Sequence, residues 1–154
     1  MKKTAVVVSV NVSEKKGTVK TPVSEIQARR DHGIVGDAHA DNWHRQISLL
    51  ADESIDKMRA RLPDTPLTPG LFAENITTRE LVLHTLPVGK RLRVGQALLE
   101  VTQIGKECHF GCEIRSVTGD CVMPREGIFC AVIEEGVIRP GDPITFEEIQ
   151  FEEI

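Results

Sequence analysis

The sequence predicts a mainly β fold: an all-β barrel with one clear short helix and long loops. Short runs rich in β-branched residues recur along the chain, and glycine-containing turns separate them. Only one segment has the spacing of an amphipathic helix. The 154 residues contain no linker, low-complexity segment or solenoid-type repeat, so we expect one domain over residues 1–154.

Individual strands are predicted where apolar and β-branched residues lie between turn residues. The predicted strands are residues 4–12, 46–50, 71–77, 91–94 and 97–104, followed by a terminal meander of residues 130–135, 137–138 and 144–149. Residues 23–30 form a polar connection that is strand-like in part. Residues 32–39 suit a loop, because two glycines interrupt them.

The helix is predicted over residues 52–62. Asp52 offers an N-cap, basic residues in the last turn complement the helix dipole, and Pro63 prevents continuation. Three apolar residues share one face of this helix: Ile55, Met58 and Leu62.

Composition argues against several classes of function. Five Phe, one Trp and no Tyr leave few aromatic rings for stacking on single-stranded nucleic acid. The net charge of -4 argues against a general nucleic-acid binder but allows a local basic pocket. No apolar run reaches the roughly 20 residues of a membrane helix, and the apolar start is too short for a signal peptide. We therefore expect a cytoplasmic protein with reduced cysteines, no membrane and no nucleic-acid partner.

The strongest functional signal is the sequence Cys108-His109-Phe110-Gly111-Cys112, which follows the predicted strand 97–104. A thiolate is a good nucleophile and a soft metal ligand, and basic neighbours favour the thiolate form. Lys106, His109 and Arg115 are such neighbours. We therefore expect Cys108 to bind, carry or react.

Two alternatives apply to the cysteines. Free cysteine often fills a core, and Cys130 in the apolar run 128–133 is expected to do so. A structural zinc site is the other alternative, but only Cys108 and Cys112 are closely spaced, while Cys121 and Cys130 follow at long intervals. Zinc is therefore disfavoured but possible.

The glycine-punctuated loop gives a second, weaker signal. Gly36, Asp37 and His39 can orient a polar ligand or bind a metal, and exposed amides beside glycine can cradle an anion. The alternative is an Asx-type turn in which Asp37 caps local amides.

A third segment contains Glu74 and Asn75. We expect Glu74 to be a surface carboxylate, and we favour Asn75 as a brace over Asn75 as a direct ligand contact. The chain also has a scattered basic set, which would form an anion pocket if the fold gathered its members beside Cys108: Arg29, Arg30, Lys106, Arg115 and Arg125.

Taken in order, these segments resemble the MOSC domain family, named after the C-terminal domain of molybdenum cofactor sulfurases. The matching segments are residues 33–39 (GIVGDAH), 45–50 (RQISLL), 69–77 (PGLFAENIT), 86–95 (LPVGKRLRVG), 104–109 (IGKECH), 127–129 (GIF) and 141–142 (GD). Their joint presence makes the match specific, and the chain resembles a stand-alone member.

The resemblance implies a closed, mostly antiparallel β-barrel and a molybdenum cofactor (molybdopterin) held as a pterin phosphate. It implies that Cys108 is the functional thiol, which carries sulfur as a persulfide or ligates molybdenum. Glu107 replaces the Pro that many relatives have there. The pyridoxal-phosphate domain of the full sulfurases is missing from this sequence, and we do not expect that cofactor here.

These expectations define the candidate site. We assign the sulfur chemistry to Cys108, with His109 and Lys106 stabilising the thiolate, and possible metal ligation to Cys108 and Cys112. The cofactor-binding candidates are Gly36, Asp37, His39, Asn75, Arg115 and Arg125. Sulfur transfer, a molybdenum-dependent reduction and delivery of the cofactor to a molybdoenzyme or sulfurase all remain open, as does a redox switch.

Overall fold

The computed structural model describes residues 5–16, 19–105 and 126–146. One α-helix, α1 (Asp52–Arg61), and a 3₁₀ turn (Leu83–Thr85) lie among the described strands. These strands are β1 (Ala5–Val12), β2 (Thr21–Val23), β3 (Ile26–Arg29), β4 (Gly33–Ile34), β5 (Ile47–Ala51), β6 (Ile76–Arg79), β7 (Arg91–Val94), β8 (Ala97–Ile104), β9 (Ile128–Glu134), β10 (Gly136–Ile138) and β11 (Pro143–Phe146).

Seven of the described strands close a barrel, in the order β1-β6-β5-β9-β8-β7-β11 and back to β1. Closure comes from β11, which pairs with β7 on one side and with β1 on the other. Neighbours in this ring are antiparallel except for β5 and β6, which are parallel. The predicted closed, mostly antiparallel barrel is confirmed. Outside it, β2 extends from β1, while β10, β3 and β4 form a small second sheet.

Strand β5 is buried on both faces because the barrel interior covers one face and α1 covers the other. Its Ile47 and Leu49 pack in the barrel core, whereas Leu50 packs with Ile55 and Met58 of α1. Fully burying each such side chain contributes about 1.5–3 kcal/mol. The predicted apolar face of the helix therefore holds α1 against the outside of the barrel. None of the helices in the described ranges has the length and apolar character that a membrane-crossing helix needs.

The predicted N-cap of this helix was wrong. Ala51 occupies the N-cap position, and Asp52 is the first helical residue. The Asp52 carboxylate instead accepts hydrogen bonds from Arg59, at 2.9 Å, and from Arg79 of β6. Burial alone would raise the pKa of Asp52, but the two guanidinium groups outweigh it and hold that pKa below its usual value.

Two predicted strand assignments also need correction. The predicted strand 71–77 begins only at Ile76, because the positive φ angles of Gly70 (91°) and Ala73 (66°) turn the preceding chain. The predicted terminal meander was wrong as well. Strand β10 leaves the barrel and pairs with β3, and β11 returns to pair with β7 and β1. A meander assumes pairing with sequence neighbours, whereas more than one hundred residues separate β10 from its partner.

A buried polar brace joins β1, β5 and β6. Asn75 accepts hydrogen bonds through Oδ1 from the Ser48 backbone N–H (3.0 Å) and hydroxyl (3.1 Å). Its Nδ2 donates to the backbone carbonyl of Asn11 at 3.2 Å. All three residues are buried. The Asn75 side chain thus satisfies backbone groups where the three strands meet, which is the bracing role that the sequence favoured.

Replacing Asn75 with Ala should destabilise the fold by about 2–5 kcal/mol, because it strands the Ser48 N–H and the Asn11 carbonyl without partners in the interior. Urea unfolding would measure this loss as a lower midpoint with an unchanged slope. The control is Asn42→Ala on the exposed loop, where we expect a change within about 0.5 kcal/mol. Equal midpoints for the two variants would contradict the bracing role.

Candidate functional site

The chain segment with the predicted functional cysteine is attached at one rim of the barrel. Strands β8 and β9 pair up to Ile104 and Ile128, and the Gly105 N–H then donates to the Gly127 carbonyl at 2.7 Å. Residues 106–125 connect these two strand ends and lie outside the described residues. The roles predicted for the following residues therefore stay predictions: Lys106, Cys108, His109, Cys112, Arg115, Cys121 and Arg125.

Cys130 is the cysteine that the structure describes, and it lies in the core as expected. Its side chain has no exposed surface and packs inside the barrel. Burial, with a smaller contribution from the Glu100 carboxylate, raises the pKa of the Cys130 thiol far above its usual value. A thiol held protonated is a poor nucleophile and a poor metal ligand. Any reactive thiol of this chain must therefore come from residues 106–125.

The loop after β4 holds a buried ion pair. The Asp37 Oδ1 atom accepts from Lys20 Nζ at 2.7 Å and from the Ser13 N–H at 3.0 Å, while Oδ2 accepts from the His39 N–H at 3.0 Å. The side chains of Lys20 and Asp37 are both 0% exposed. Burial alone would raise the pKa of Asp37, but Lys20 and the two amides outweigh it and hold that pKa below its usual value.

This geometry decides what the loop can present to a ligand. Asp37 caps local amides, as the Asx-turn alternative expected. Five consecutive backbone N–H groups donate to acceptors within the protein and are therefore not free to bind an anion: Asp37 to Ile34, Ala38 to Ser13, His39 to the Asp37 carboxylate, Ala40 to Asp37 and Asp41 to His32. Gly36, with φ at +85°, has open space where a Cβ would stand. Ligand contacts by Gly36 and Asp37 stay predictions, and His39 is the partly exposed polar side chain beside them.

An aromatic and basic surface continues from His39 toward the barrel rim. The Trp43 Nε1 donates to the His39 carbonyl at 3.0 Å. Two cations lie near the Trp43 ring, with Lys16 Nζ at 5.7 Å and Arg45 Cζ at 5.9 Å from its centroid. We call this set the Trp43 surface: Lys16, His39, Trp43, His44, Arg45 and Gln103.

Gln103 connects this surface to the origin of residues 106–125. Its Oε1 accepts from Arg45 Nε at 3.0 Å and contacts His44 Nε2 at 2.9 Å, and its Nε2 donates to the Gly105 carbonyl at 2.7 Å. The contacts with Arg45 and Gly105 orient the Gln103 side-chain amide with Oε1 toward His44, so His44 Nε2 must be a donor. The Arg45 guanidinium also lies over the Phe129 ring at 5.3 Å. No carboxylate among residues 5–16, 19–105 and 126–146 forms an ion pair with Arg45, which leaves it suited to an external anion.

Sequence reasoning did not select the most informative members of this region. Lys20 gave no signal, because a single lysine in a β-branched stretch is typical of a surface strand. Trp43 and Arg45 did give one: the only Trp of the chain lies next to a His and an Arg, directly after the glycine-punctuated loop. Of the predicted basic set, the described Arg29 and Arg30 are exposed.

Within the described parts of the chain, no group of three or more His, Cys, Asp or Glu residues is placed to hold a metal ion.

A separate cavity of about 380 Å³ lies between α1 and residues 80–84. Its Glu126 carboxylate accepts from Lys57 Nζ at 2.9 Å and from the Ser54 hydroxyl at 2.7 Å, so the acid there is already paired.

Glu74 was expected at the surface, and this prediction was wrong. Its side chain is fully buried, because Phe72 packs beneath α1 and draws the turn into the interior. Oε2 accepts from the Thr77 hydroxyl at 2.7 Å, while Oε1 has no hydrogen-bond partner among the described residues. Burial raises the pKa of Glu74 above its usual value of 4.5.

Comparison with known proteins identifies this architecture. The model of the MOSC domain family matches residues 36–145. A search of curated proteins finds none that matches.

Solved structures with the same fold include the YuaD protein of Bacillus subtilis, with 19% sequence identity and a TM-score of 0.74 over 92% of this chain and 94% of that one. YiiM of Geobacillus stearothermophilus is 24% identical, with a TM-score of 0.72 over 94% and 75% of the two chains. YiiM of Escherichia coli is 19% identical, with a TM-score of 0.66 over 97% and 71%. At these identities the likeness establishes the fold.

Replacing Glu74 with Gln should flatten the dependence of stability on pH. Because the folded-state pKa of Glu74 is raised, the native protein keeps a proton that the unfolded chain releases above about pH 4.5. Wild-type stability therefore falls as pH rises from the unfolded to the folded pKa, by about 1.4 kcal/mol per pH unit.

Urea unfolding between pH 4 and pH 8 would measure this slope, and the exposed Glu14→Gln provides the matched control. We expect Glu74→Gln to remove the fall and Glu14→Gln to retain it. Parallel pH profiles for all three proteins would show that Glu74 is not buried in its acid form.

Proposed function

Because the chain belongs to the MOSC domain family, we propose that it binds a molybdenum cofactor and handles sulfur or molybdenum through Cys108. The observation that supports this proposal is the connection from Arg45 and His44, through Gln103, to Gly105 at the start of residues 106–125. It joins Arg45, which has no carboxylate partner among the described residues, to the segment that contains Cys108.

The residues present fit the cofactor in two respects. Molybdopterin has a phosphate, which a guanidinium recognises through paired N–H groups, and Arg45 is held by Gln103 and by two aromatic rings without a described carboxylate partner. The molybdenum is already bound by dithiolene sulfurs, so the protein needs to add only one soft ligand rather than a complete cage. The lack of a three-residue metal cluster among the described residues is compatible with such a group.

Chain connectivity limits where the thiol can lie. Cys108 follows Gly105 by three residues, so its Cα lies within about 11 Å of the Gly105 Cα. The Gly105 carbonyl is itself bonded to Gln103, which holds Arg45. The proposal therefore assigns Cys108 to the rim that carries the Trp43 surface, whereas Cys130 is sealed inside the barrel.

In this proposal each group has a defined task. Arg45 binds the phosphate, and His39 presents a polar contact beside it. Cys108 ligates molybdenum as a thiolate or carries a sulfur atom as a persulfide, with Lys106 and His109 favouring the ionised form. When bound, the cofactor supplies the metal and the dithiolene sulfurs on which this chemistry depends.

Purification from a host that makes molybdenum cofactor tests the proposal. We expect molybdenum and an oxidised pterin phosphate to co-purify with the wild-type protein, and Cys108→Ser to lose the molybdenum or the sulfur bound at residue 108. Elemental analysis measures the bound molybdenum, and fluorescence measures the bound pterin. Peptide mass mapping detects an added sulfur atom at Cys108.

Cys121→Ser is the matched control, because it removes a thiol from the same segment at a residue with no assigned ligand role. The proposal predicts that this variant keeps the pterin. Bound pterin without reductase or sulfurtransferase activity would identify a delivery role within the proposal. One tightly held zinc with no pterin, or a Cys108→Ser protein with unchanged cofactor and sulfur content, would contradict it.

A further inference from the structure

We propose that Lys16 and Arg45, which both lie beside the Trp43 ring, form a two-cation site that recognises a terminal phosphate monoester in preference to a phosphodiester. This inference rests on the proposed function for the identity of its natural ligand, a pterin phosphate. It adds Lys16, which the proposed function did not use, and it defines which form of phosphate the Trp43 surface accepts.

Arg45 keeps most of its hydrogen-bonding capacity for a ligand. Its Nε donates to Gln103 Oε1 at 3.0 Å, and its guanidinium lies over the Phe129 ring at 5.3 Å. Within the part of the chain that the structure describes, its terminal nitrogens Nη1 and Nη2 donate to no protein acceptor. These nitrogens carry most of the N–H groups of a guanidinium, in a fork that matches a pair of phosphate oxygens. Gln103 and Phe129 thus orient a fork that suits an anion.

Lys16 provides a second cation beside the same ring. Its side chain is exposed, and its Nζ lies 5.7 Å from the centroid of the Trp43 ring, while Arg45 Cζ lies 5.9 Å from that centroid. Trp43 is itself held in place, because its Nε1 donates to the His39 carbonyl at 3.0 Å. Since an aromatic ring attracts cations, Trp43 favours an arrangement in which both positive charges stay close to one fixed side chain.

The described carboxylates leave these two cations unneutralised. Across residues 5–16, 19–105 and 126–146, neither Lys16 nor Arg45 forms an ion pair. The carboxylates that follow or precede them most closely in sequence are Glu14, which is exposed, and Asp41, whose Oδ1 accepts from the Asn42 N–H at 2.8 Å. Because two like charges repel each other, a ligand with two negative charges stabilises this arrangement more than a ligand with one.

This charge count distinguishes two forms of phosphate. A monoester has a second pKa of about 6, so its charge is close to about -2 at neutral pH, and it has three unesterified oxygens. A diester has a single negative charge and fewer free oxygens. A monoester can place a pair of oxygens against the Arg45 fork and still offer a charged oxygen to Lys16. The two-cation site therefore suits a phosphate at the end of a ligand rather than one within a chain.

Titration of the cofactor-free protein with methyl phosphate and with dimethyl phosphate at neutral pH tests this preference. Trp43 is the only Trp of the chain, so its fluorescence reports on this site alone. We expect methyl phosphate to bind about tenfold more tightly than dimethyl phosphate, which is the effect of one additional hydrogen bond to a charged group. Equal affinities for the two esters, or no binding of either, would overturn the proposal.

Lys16→Gln tests the second cation, and Lys90→Gln is the matched control. Lys90 also lies over an aromatic ring, with its Nζ 4.8 Å from the Phe146 centroid, and each change removes one positive charge. We expect Lys16→Gln to weaken methyl phosphate binding about tenfold and dimethyl phosphate binding by less than about threefold, whereas Lys90→Gln leaves both unchanged. An equal loss in the two variants, or no loss in either, would show that Lys16 does not contact the phosphate and would overturn the proposal.

The ester titrations need no cofactor, so their outcome is separate from that of the proposed function. A protein that prefers the monoester through Lys16 but co-purifies with no pterin would keep the two-cation site and contradict the proposed function. Co-purified pterin phosphate without a preference between the two esters would keep the proposed function and overturn the two-cation site.

Discussion

The hydrogen bond from the Gly105 N–H to the Gly127 carbonyl, at 2.7 Å, ends the β8–β9 ladder and fixes both ends of residues 106–125 at one place. Strands β8 and β9 are neighbours in a closed barrel. The pairing of β11 with β1 closes this barrel, so that neither end of its sheet is left as an open edge. The proposed chemistry depends on this constraint. A rigid sheet determines where the cysteine-containing segment starts, and Gln103 joins that start to Arg45 and His44.

Buried polar groups connect the core to this rim. Asn75 satisfies backbone groups of β1 and β5, and Lys20 is paired with Asp37 without exposed surface. An unpaired buried charge would cost several kcal/mol, so such groups persist only with partners. The two sets meet at Gly70, whose carbonyl accepts from the Lys20 N–H and where a Cβ would lie 2.3 Å from the Lys20 carbonyl. The turn that places Glu74 and Asn75 in the interior therefore also positions the backbone of Lys20.

Local patterns in the sequence predicted the elements better than their pairing. Strand β8 was predicted with the bounds that the structure shows, and α1 to within one residue, because alternation and helical spacing are local properties. The partner of β10 is not local, which is why the meander was wrong. At the site, the Asx turn of Asp37 could be predicted because it involves only residues of the same loop. The pairing of Asp37 with Lys20 could not, because it depends on how the fold brings two separate segments together. The prediction that Glu74 is exposed was wrong because a single carboxylate in an apolar stretch does not indicate whether the turn directs it to the surface or to the interior.

The proposed function requires a reactive thiol at the rim of the barrel and not in its core. Alkylation of the folded protein with iodoacetamide, followed by peptide mass mapping of each cysteine, distinguishes these two locations. We expect Cys108 to be labelled in the native state and Cys130 only after denaturant opens the barrel. A native protein in which Cys108 resists labelling until it unfolds, as Cys130 does, would contradict it.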